Sequence, residues 1–182
     1  MTKLVRTIHF NTPLVMIKDW TIARIPEDES VKLTSRGQIS VKGTINGHEF
    51  QTILEPDGYW SHWFRLDDKK QKELGVKTGD TVSVELTPVK EWPEPTLPND
   101  IQKALNAAPE KVQQKWRDIT PMARWEWVRW VNSTGVDATR AMRIEKTFSK
   151  LNGTHRRPCC FNLAACTEPY VSKSGRLMQP TA

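Results

Sequence analysis

Three groups of residues have types and spacings that chemistry can use. The first is aromatic and cationic. MARWEWVRWV, Met122 to Val131, interleaves Trp125, Trp127 and Trp130 with Arg124 and Arg129. An indole face beside a guanidinium suits stacking on a base or another planar ring, with cation–π support. At about 100° per residue the three indoles spread over a wide arc of a helix, so no single thin interface buries them all. The alternative is packing between domains, where a large amphipathic ring covers much area at little entropic cost. The ligand site expected from this group joins Trp125 and Arg129 to Arg140, Arg143 and His62. His62 lies in GYWSHWF, Gly58 to Phe64. Read as a strand, that stretch puts Trp60, His62 and Phe64 on one face, and Tyr59 and Trp63 on the other. Beside aromatic rings, His62 either meets an anion or planar ligand or is packed and hydrogen-bonded.

The second group is cationic. Arg140, Arg143, Lys146 and Lys150 form one stripe, and Arg156 and Arg157 follow. Six cations on a short segment suit contacts to phosphates and salt-dependent binding of nucleic acid. A solvated helix face is the ordinary alternative, and no named nucleic-acid motif is present. Arg36, next to Gly37, either meets a phosphate or pairs with Asp80 or Glu55 to pin its loop.

The third group is sulfur. Cys159 and Cys160 are adjacent, Cys166 follows after five residues, and His155 lies just upstream. The residue types fit zinc and the spacing does not. Structural zinc takes separated pairs, and adjacent cysteines seldom both reach one ion. No cofactor is therefore expected. A redox pair and plain thiols in a docked tail are the alternatives, and Arg156 and Arg157 would lower the pKa of a thiol near them. No nucleophile elbow, P-loop, dinucleotide fingerprint or H-E-x-x-H is present. A Cys/His pair drawn from Cys159 or Cys160 with His155 or His62 is not assembled by spacing alone, so the expectation leans away from an enzyme.

The chain that must position these residues has 182 residues and a net charge of +6. The charge is uneven: residues 1–110 hold 14 Lys+Arg against 16 Asp+Glu (−2), and residues 111–182 hold 13 against 5 (+8). The positive field belongs to the C-terminal half and favours an anionic partner there. With 37% hydrophobic residues and eight tryptophans, the chain has material for a real core. No apolar run is long enough for a membrane span, and the N-terminus lacks a secretory pattern. Cytoplasmic location is expected, and three cysteines do not make a secreted disulfide framework.

Residues 1–92 read as β. Trp20–Ile25 is a short strand. Ile39, Val41 and Ile45 alternate with polar neighbours, and Asn46-Gly47 supplies the two positive φ values of a type I′ hairpin turn. Phe50–Leu54 returns, Glu55-Pro-Asp-Gly58 turns, and Tyr59–Leu66 is an aromatic strand. Asp67 caps a helical turn closed by Gly75. Val82, Val84 and Leu86 then alternate in a last strand. Many short strands between turns predict a small closed barrel of six or seven strands. Glu91-Trp-Pro-Glu-Pro-Thr-Leu-Pro98 is a connector, because three prolines in six residues continue neither ladder nor helix. Beyond it, a helical pattern starts at Asn99 or Asp100 and is interrupted near Pro109. Thr120-Pro121 opens a second helix, and Asp137 opens a third with Ala141, Ile144, Phe148 and Leu151 as its apolar stripe.

SRGQISV (35–41) with LGVKTGDTVSVEL (74–86) resembles the two halves of AbrB/MazE-type DNA-binding hairpins. Gly37 and Gly79 stand 42 residues apart, however, with a hairpin and the aromatic strand between them. That leaves room for a barrel closed within one chain. A broader resemblance covers roughly residues 15–175. WTIARIP (20–26), SRGQISVKGTINGHEFQTILEPDG (35–58), SHWF (61–64) and GVKTGDTVSVEL (75–86) resemble a double-split β-barrel domain of unknown function. EWPEPTLPNDIQKAL (91–105), DITPMARWEWVRWVNST (118–134), TRAMRIEKTFSKL (139–151) and RRPCCFN (156–162) resemble the bacteriocin-protection or OmpD-associated family. The resemblance implies a fold and carries over no catalytic residues.

The sequence thus predicts an α+β protein in three parts: an AbrB-like barrel at 1–92, a three- to four-helix unit at 93–154, and a cysteine-containing tail at 155–182. Barrel and helices are expected to pack through the tryptophans. The leading expectation is a non-enzymatic binding or stress-protection protein with an anionic or aromatic ligand between barrel and Trp/Arg helix. Nucleic-acid binding through the basic helix and tail is the second reading. A thiol- or zinc-dependent enzyme or redox sensor is the third, and a protein partner is open in each.

Overall fold

The structure is a computed structural model and describes residues 5–160 and 162–181. Phe161, in the RRPCCFN segment, lies outside the described residues. The chain divides into two units, one running through Glu91 and resuming at Pro169, the other Trp92–Glu168.

The first unit is a closed barrel of six antiparallel strands: β1 (Ile8–Ile17), β2 (Trp20–Arg24), β3 (Ile39–Ile45), β4 (His48–Pro56), β5 (His62–Leu66) and β6 (Thr81–Pro88). They are ordered β1-β2-β5-β4-β3-β6 around the wall. Two short helices, α1 (Glu27–Ser30) and α2 (Asp68–Leu74), sit between strands. Closure removes sheet edges, so each backbone ladder has partners on both sides. β1 makes that possible by changing partners. Its residues 8–13 pair with β6 and its residues 14–17 pair with β2. The handover falls at Pro13, which has no N–H to give a ladder. β1 is an addition to the strands read from alternation, and so is α1, although β1 buries Ile8, Phe10 and Leu14 in the barrel core.

The local signals hold where they are short-range. Asn46 and Gly47 have φ of 49° and 83°, and Ile45 pairs with His48 across them. The Asp67 carboxylate accepts the Lys70 N–H at 2.7 Å, and Gly75 closes α2 with φ 64°. Val82, Val84 and Leu86 all point inward from β6. One expectation changes. Tyr59 and Trp60 are not on a strand, because β5 begins only at His62. The turn after Pro56 is longer than its composition indicates.

The second unit holds α3 (Asn99–Ala107), α4 (Glu110–Asp118), α5 (Pro121–Asn132), α6 (Asp137–Asn152) and α7 (Leu163–Thr167). Pro98 and Pro109 occupy the N-cap positions of α3 and α4. Asn99 and Asp100 therefore lie inside α3 and do not cap it. Thr120 caps α5 through the Ala123 N–H at 3.2 Å, with Pro121 in the first turn. The core gathers Ile101, Leu105, Val112, Trp116, Trp127 and Leu151, with Ile144 and Phe148 packed on it. Ala141, expected on the apolar stripe of α6, is exposed, while Thr147 is buried and bonds the Arg143 carbonyl. The proline-rich connector is docked on this unit: Trp92 meets Trp125 edge-on at 5.3 Å, and Glu94 grips Arg124 at 2.5 and 2.9 Å.

The C-terminal segment folds back onto the barrel unit. Val171 and Leu177 bridge as a small hairpin, and both are buried. Tyr170 meets Trp20 edge-on at 4.7 Å and donates its hydroxyl to Asp19 at 2.5 Å. Residues 155–182 are thus divided between the two units, with 155–168 in the helical one.

Candidate functional site

The loop from Asp57 to Ser61 places two aromatic rings in solvent. Asp57 is buried. Its carboxylate accepts the N–H of Tyr59 at 2.7 Å and of Ser61 at 2.9 Å, and its own N–H donates to the Ser61 carbonyl at 2.9 Å. The Ser61 hydroxyl donates to the Ile25 carbonyl. Between these anchors Trp60 is held at φ 76° and is 78% exposed. A bulky residue in the left-handed region costs about 1–2 kcal/mol, and the exposed ring returns little burial to offset it. Such outliers persist where the surroundings over-determine them, often at binding sites.

The other half of the site comes from the C-terminal hairpin. The Leu177 N–H donates to the Asp57 carbonyl at 3.0 Å. Gly58 has φ 77°, and a Cβ there would lie 2.6 Å from the Gly175 carbonyl oxygen, so glycine is required for the two segments to meet. This approach carries the Arg176 guanidinium over the Tyr59 ring, 5.6 Å from its centroid. Arg176 is exposed and has no carboxylate partner among the described residues. One barrel loop and one C-terminal turn thus present an indole, a phenol and an unpaired cation. This set can stack on a planar ring and attract a negative charge on it.

His62, one residue beyond this loop, is fully buried. Its Nε2–H donates to the Gly37 carbonyl at 2.9 Å, and its Nδ1 faces the Ser30 hydroxyl at 2.8 Å and the Arg36 guanidinium at 3.2 Å. Burial pushes its pKa below the ordinary value, the Gly37 carbonyl pushes it back up, and Arg36 lowers it further. The ring is a neutral clasp joining α1 and the Ser35–Gly37 segment to β5. Arg36 also donates to Ser30 at 2.7 Å. Its contacts differ from the expected pairing: Glu55 accepts from Gln38 at 2.9 and 3.1 Å, and Asp80 accepts the Lys77 N–H at 2.9 Å.

The other expected residues lie in the helical unit. Arg129 stands 5.0 Å over the Trp125 ring and pairs with Glu168 at 2.8 Å. Arg143 stands 5.2 Å over Trp130 and donates to the Trp130 carbonyl at 2.7 Å and to Ser133 at 2.5 Å. Arg140 grips Asp100 at 2.5 and 2.9 Å, which holds that carboxyl below its usual range. Arg156 donates to the Asp118 carbonyl at 3.0 Å, Arg157 pairs with buried Glu126, and Lys150 donates to Cys159 Sγ at 3.0 Å. Lys146 is exposed and has no such partner among the described residues. These cations tie helix to helix and loop to helix. Trp127 is buried in the core and donates its indole N–H to the Arg156 carbonyl, while Trp125 and Trp130 are half-buried.

Among the described residues, no group of three or more His, Cys, Asp and Glu side chains is placed to hold a metal ion. His155, Cys159, Cys160 and Cys166 do not form one. Among the same residues no helix is long and apolar enough to cross a membrane. Sequence reading placed Trp60 on a strand. The signal for its true setting was Asp57, whose side chain can cap N–H groups further along the chain and lengthen a turn.

A closed six-stranded barrel joined through a proline-rich connector to a helical unit defines a two-domain α+β protein. Residues 10–86 match a domain of unknown function, DUF1905. Residues 94–163 match the family described as bacteriocin-protection, YdeI or OmpD-associated. No curated protein matches the chain.

Proposed function

We propose that this protein acts by binding and not by catalysis, and that its ligand is a planar, negatively charged molecule of the nucleotide class stacked on Trp60. The observation that carries the reading is Trp60 itself, a strained and exposed indole on a pinned loop. Tyr59 widens the aromatic surface and Arg176 supplies the charge. Protection, the outcome named in the family description, is something a binding protein delivers by sequestering a molecule. Placement of the ligand on Trp125, Arg129, Arg140 and Arg143 has less support, because those guanidiniums already hold acceptors of their own. We place the protein in the cytoplasm, where free thiols such as Cys159, Cys160 and Cys166 persist.

The test is thermal unfolding with adenosine monophosphate, guanosine triphosphate, flavin mononucleotide and a short oligonucleotide, each at low and high salt. A ligand that binds the folded state raises the melting temperature. The expected result is a rise with at least one mononucleotide, lost in Trp60→Ala and Arg176→Glu and kept in Lys146→Glu. Loss of one stacking ring corresponds to roughly 5- to 150-fold in affinity, from about 1–3 kcal/mol per stacked base. No shift with any probe contradicts the proposal. A shift lost in Lys146→Glu but kept in Trp60→Ala overturns it in favour of the basic stripe.

A further inference from the structure

The C-terminal turn that carries Arg176 presents more hydrogen-bond donors than it uses. Val171 and Leu177 bridge at its base, the Ser172 N–H donates to the Arg176 carbonyl at 2.9 Å, and the Gly175 N–H donates to the Ser172 carbonyl at 2.8 Å. Lys173 and Ser174 are the two central residues of this β-turn, and both are exposed. Among the described residues their N–H groups have no acceptor, and the Lys173 ammonium has no carboxylate partner. The hydroxyls of Ser172 and Ser174 lie 2.9 Å apart, and the Ser172 hydroxyl oxygen accepts the Arg176 N–H at 3.1 Å. Each hydroxyl has one hydrogen and a single hydrogen lies between the two oxygens, so the other is left for an outside acceptor. Residues 169–182 contain Lys173 and Arg176 and no Asp or Glu. The Asp57 carboxylate, which opposes an anion here, is buried and already accepts the Tyr59 and Ser61 N–H groups.

We propose that this turn, residues 172–176, is a phosphate subsite of the Trp60 site, so that the ligand is a ring compound carrying a phosphoryl group and binds more tightly than the same ring without one. The inference rests on the stacking role proposed for Trp60. The donor set argues for phosphate by its chemistry. Two amides, one hydroxyl, an ammonium and a guanidinium all give hydrogens. A phosphate monoester brings three terminal oxygens and about −1.5 to −2 charges to accept them. A carboxylate has two oxygens and one charge, and it leaves more of these donors to water. Position argues the same way. A Cβ on Gly58 would lie 2.6 Å from the Gly175 carbonyl oxygen and 2.8 Å from the Arg176 Cα, so the turn touches the loop that holds Trp60. Arg176, 5.6 Å from the centre of the Tyr59 ring, stands at the border between the aromatic surface and the turn. Lys173 is the second cation on the same turn. It reads the phosphoryl group, and Trp60 reads the ring.

The experiment is isothermal titration of the full chain with two matched pairs, adenosine with adenosine monophosphate and riboflavin with flavin mononucleotide, and with inorganic pyrophosphate alone. Wild type, Lys173→Gln and Trp60→Ala are compared. In at least one pair the phosphorylated member is expected to bind roughly 10-fold or more tightly than its counterpart, the scale of a hydrogen bond to a charged group. Lys173→Gln should remove most of that preference and leave the affinity for the unphosphorylated compound unchanged, a split that a folding defect does not produce. Pyrophosphate is expected to bind weakly to the wild type and to Trp60→Ala alike, and more weakly still to Lys173→Gln. Equal affinity within both pairs, a preference that survives in Lys173→Gln, or no binding of pyrophosphate overturns the inference. The Trp60 reading fails separately, when pyrophosphate binds through Lys173 but Trp60→Ala holds both phosphorylated ring compounds as tightly as the wild type.

Discussion

His62 and Trp60 are two residues apart and have opposite relations to the fold. His62 spends its whole polar capacity on Gly37, Ser30 and Arg36, and is held neutral. Its folded pKa lies below the ordinary 6.5, so the unfolded chain takes up a proton more readily. The stability it contributes is present above pH 6.5 and is lost as pH falls below that value toward the folded pKa. Melting temperature measured across this window should fall with acidification in the wild type and fall less steeply in His62→Gln. Equal slopes would show that His62 does not carry the effect. At neutral pH, His62→Gln should cost about 1–3 kcal/mol, because Ser30, Arg36 or Gly37 is left short of a partner. Sequence alone left His62 between a ligand and a packed residue, and burial decides that question, which no motif reports. Trp60 is the reverse case. It read as one face of a strand, yet Asp57 captures the Tyr59 and Ser61 N–H groups and delays the strand until His62.

Strands and helices were legible where a few neighbouring residues decide them. Asn46-Gly47 demands positive φ, Thr120-Pro121 sets a helix start, and Val82, Val84 and Leu86 alternate, so each element is local in its cause. β1 was not legible, because Pro13 breaks its reading as a ladder strand and the change of partner from β6 to β2 is a property of the closed barrel. Gly43 is the other element-scale feature that only closure explains. In β3 it pairs with Phe50 on one side and Leu86 on the other. A Cβ there would lie 1.8 Å from the Glu85 carbonyl oxygen, a contact that backbone movement alone relieves. Gly43→Ala should therefore open the β3–β6 seam and cost about 3 kcal/mol, read as a lower urea midpoint. A neutral result would mean that the seam is looser than its register implies. In the helical unit the paired cations were legible as a basic stripe, but their partners were not. Asp100, Glu126 and Glu168 come from other segments of the chain.

For the whole molecule, the principal finding is that the barrel unit is completed by residues from Pro169 onward. The prediction of a separate tail from residue 155 followed from its lack of periodicity, and a bridge of one residue pair leaves no periodicity to read. Its buried anchors, Val171 and Leu177, each contribute about 1.5–3 kcal/mol. A chain ending before Pro169 should melt lower, and its Tyr59 and Ser61 amides should exchange faster with solvent, since Asp57 loses the Leu177 N–H. Unchanged protection at those amides would show that the loop is set by the barrel alone.

Trp60 is strained and exposed, and the binding role proposed for it requires that its ring add no stability to the fold. The most direct measurement is the melting temperature of Trp60→Gly against the wild type, without ligand. Glycine adopts the left-handed backbone freely and gives up only a ring that buries little. The expected melting temperature is equal to or above the wild type, with a stability gain of up to about 1 kcal/mol. A clear decrease would show that the Trp60 ring supports the fold, and would contradict its assignment as the binding element.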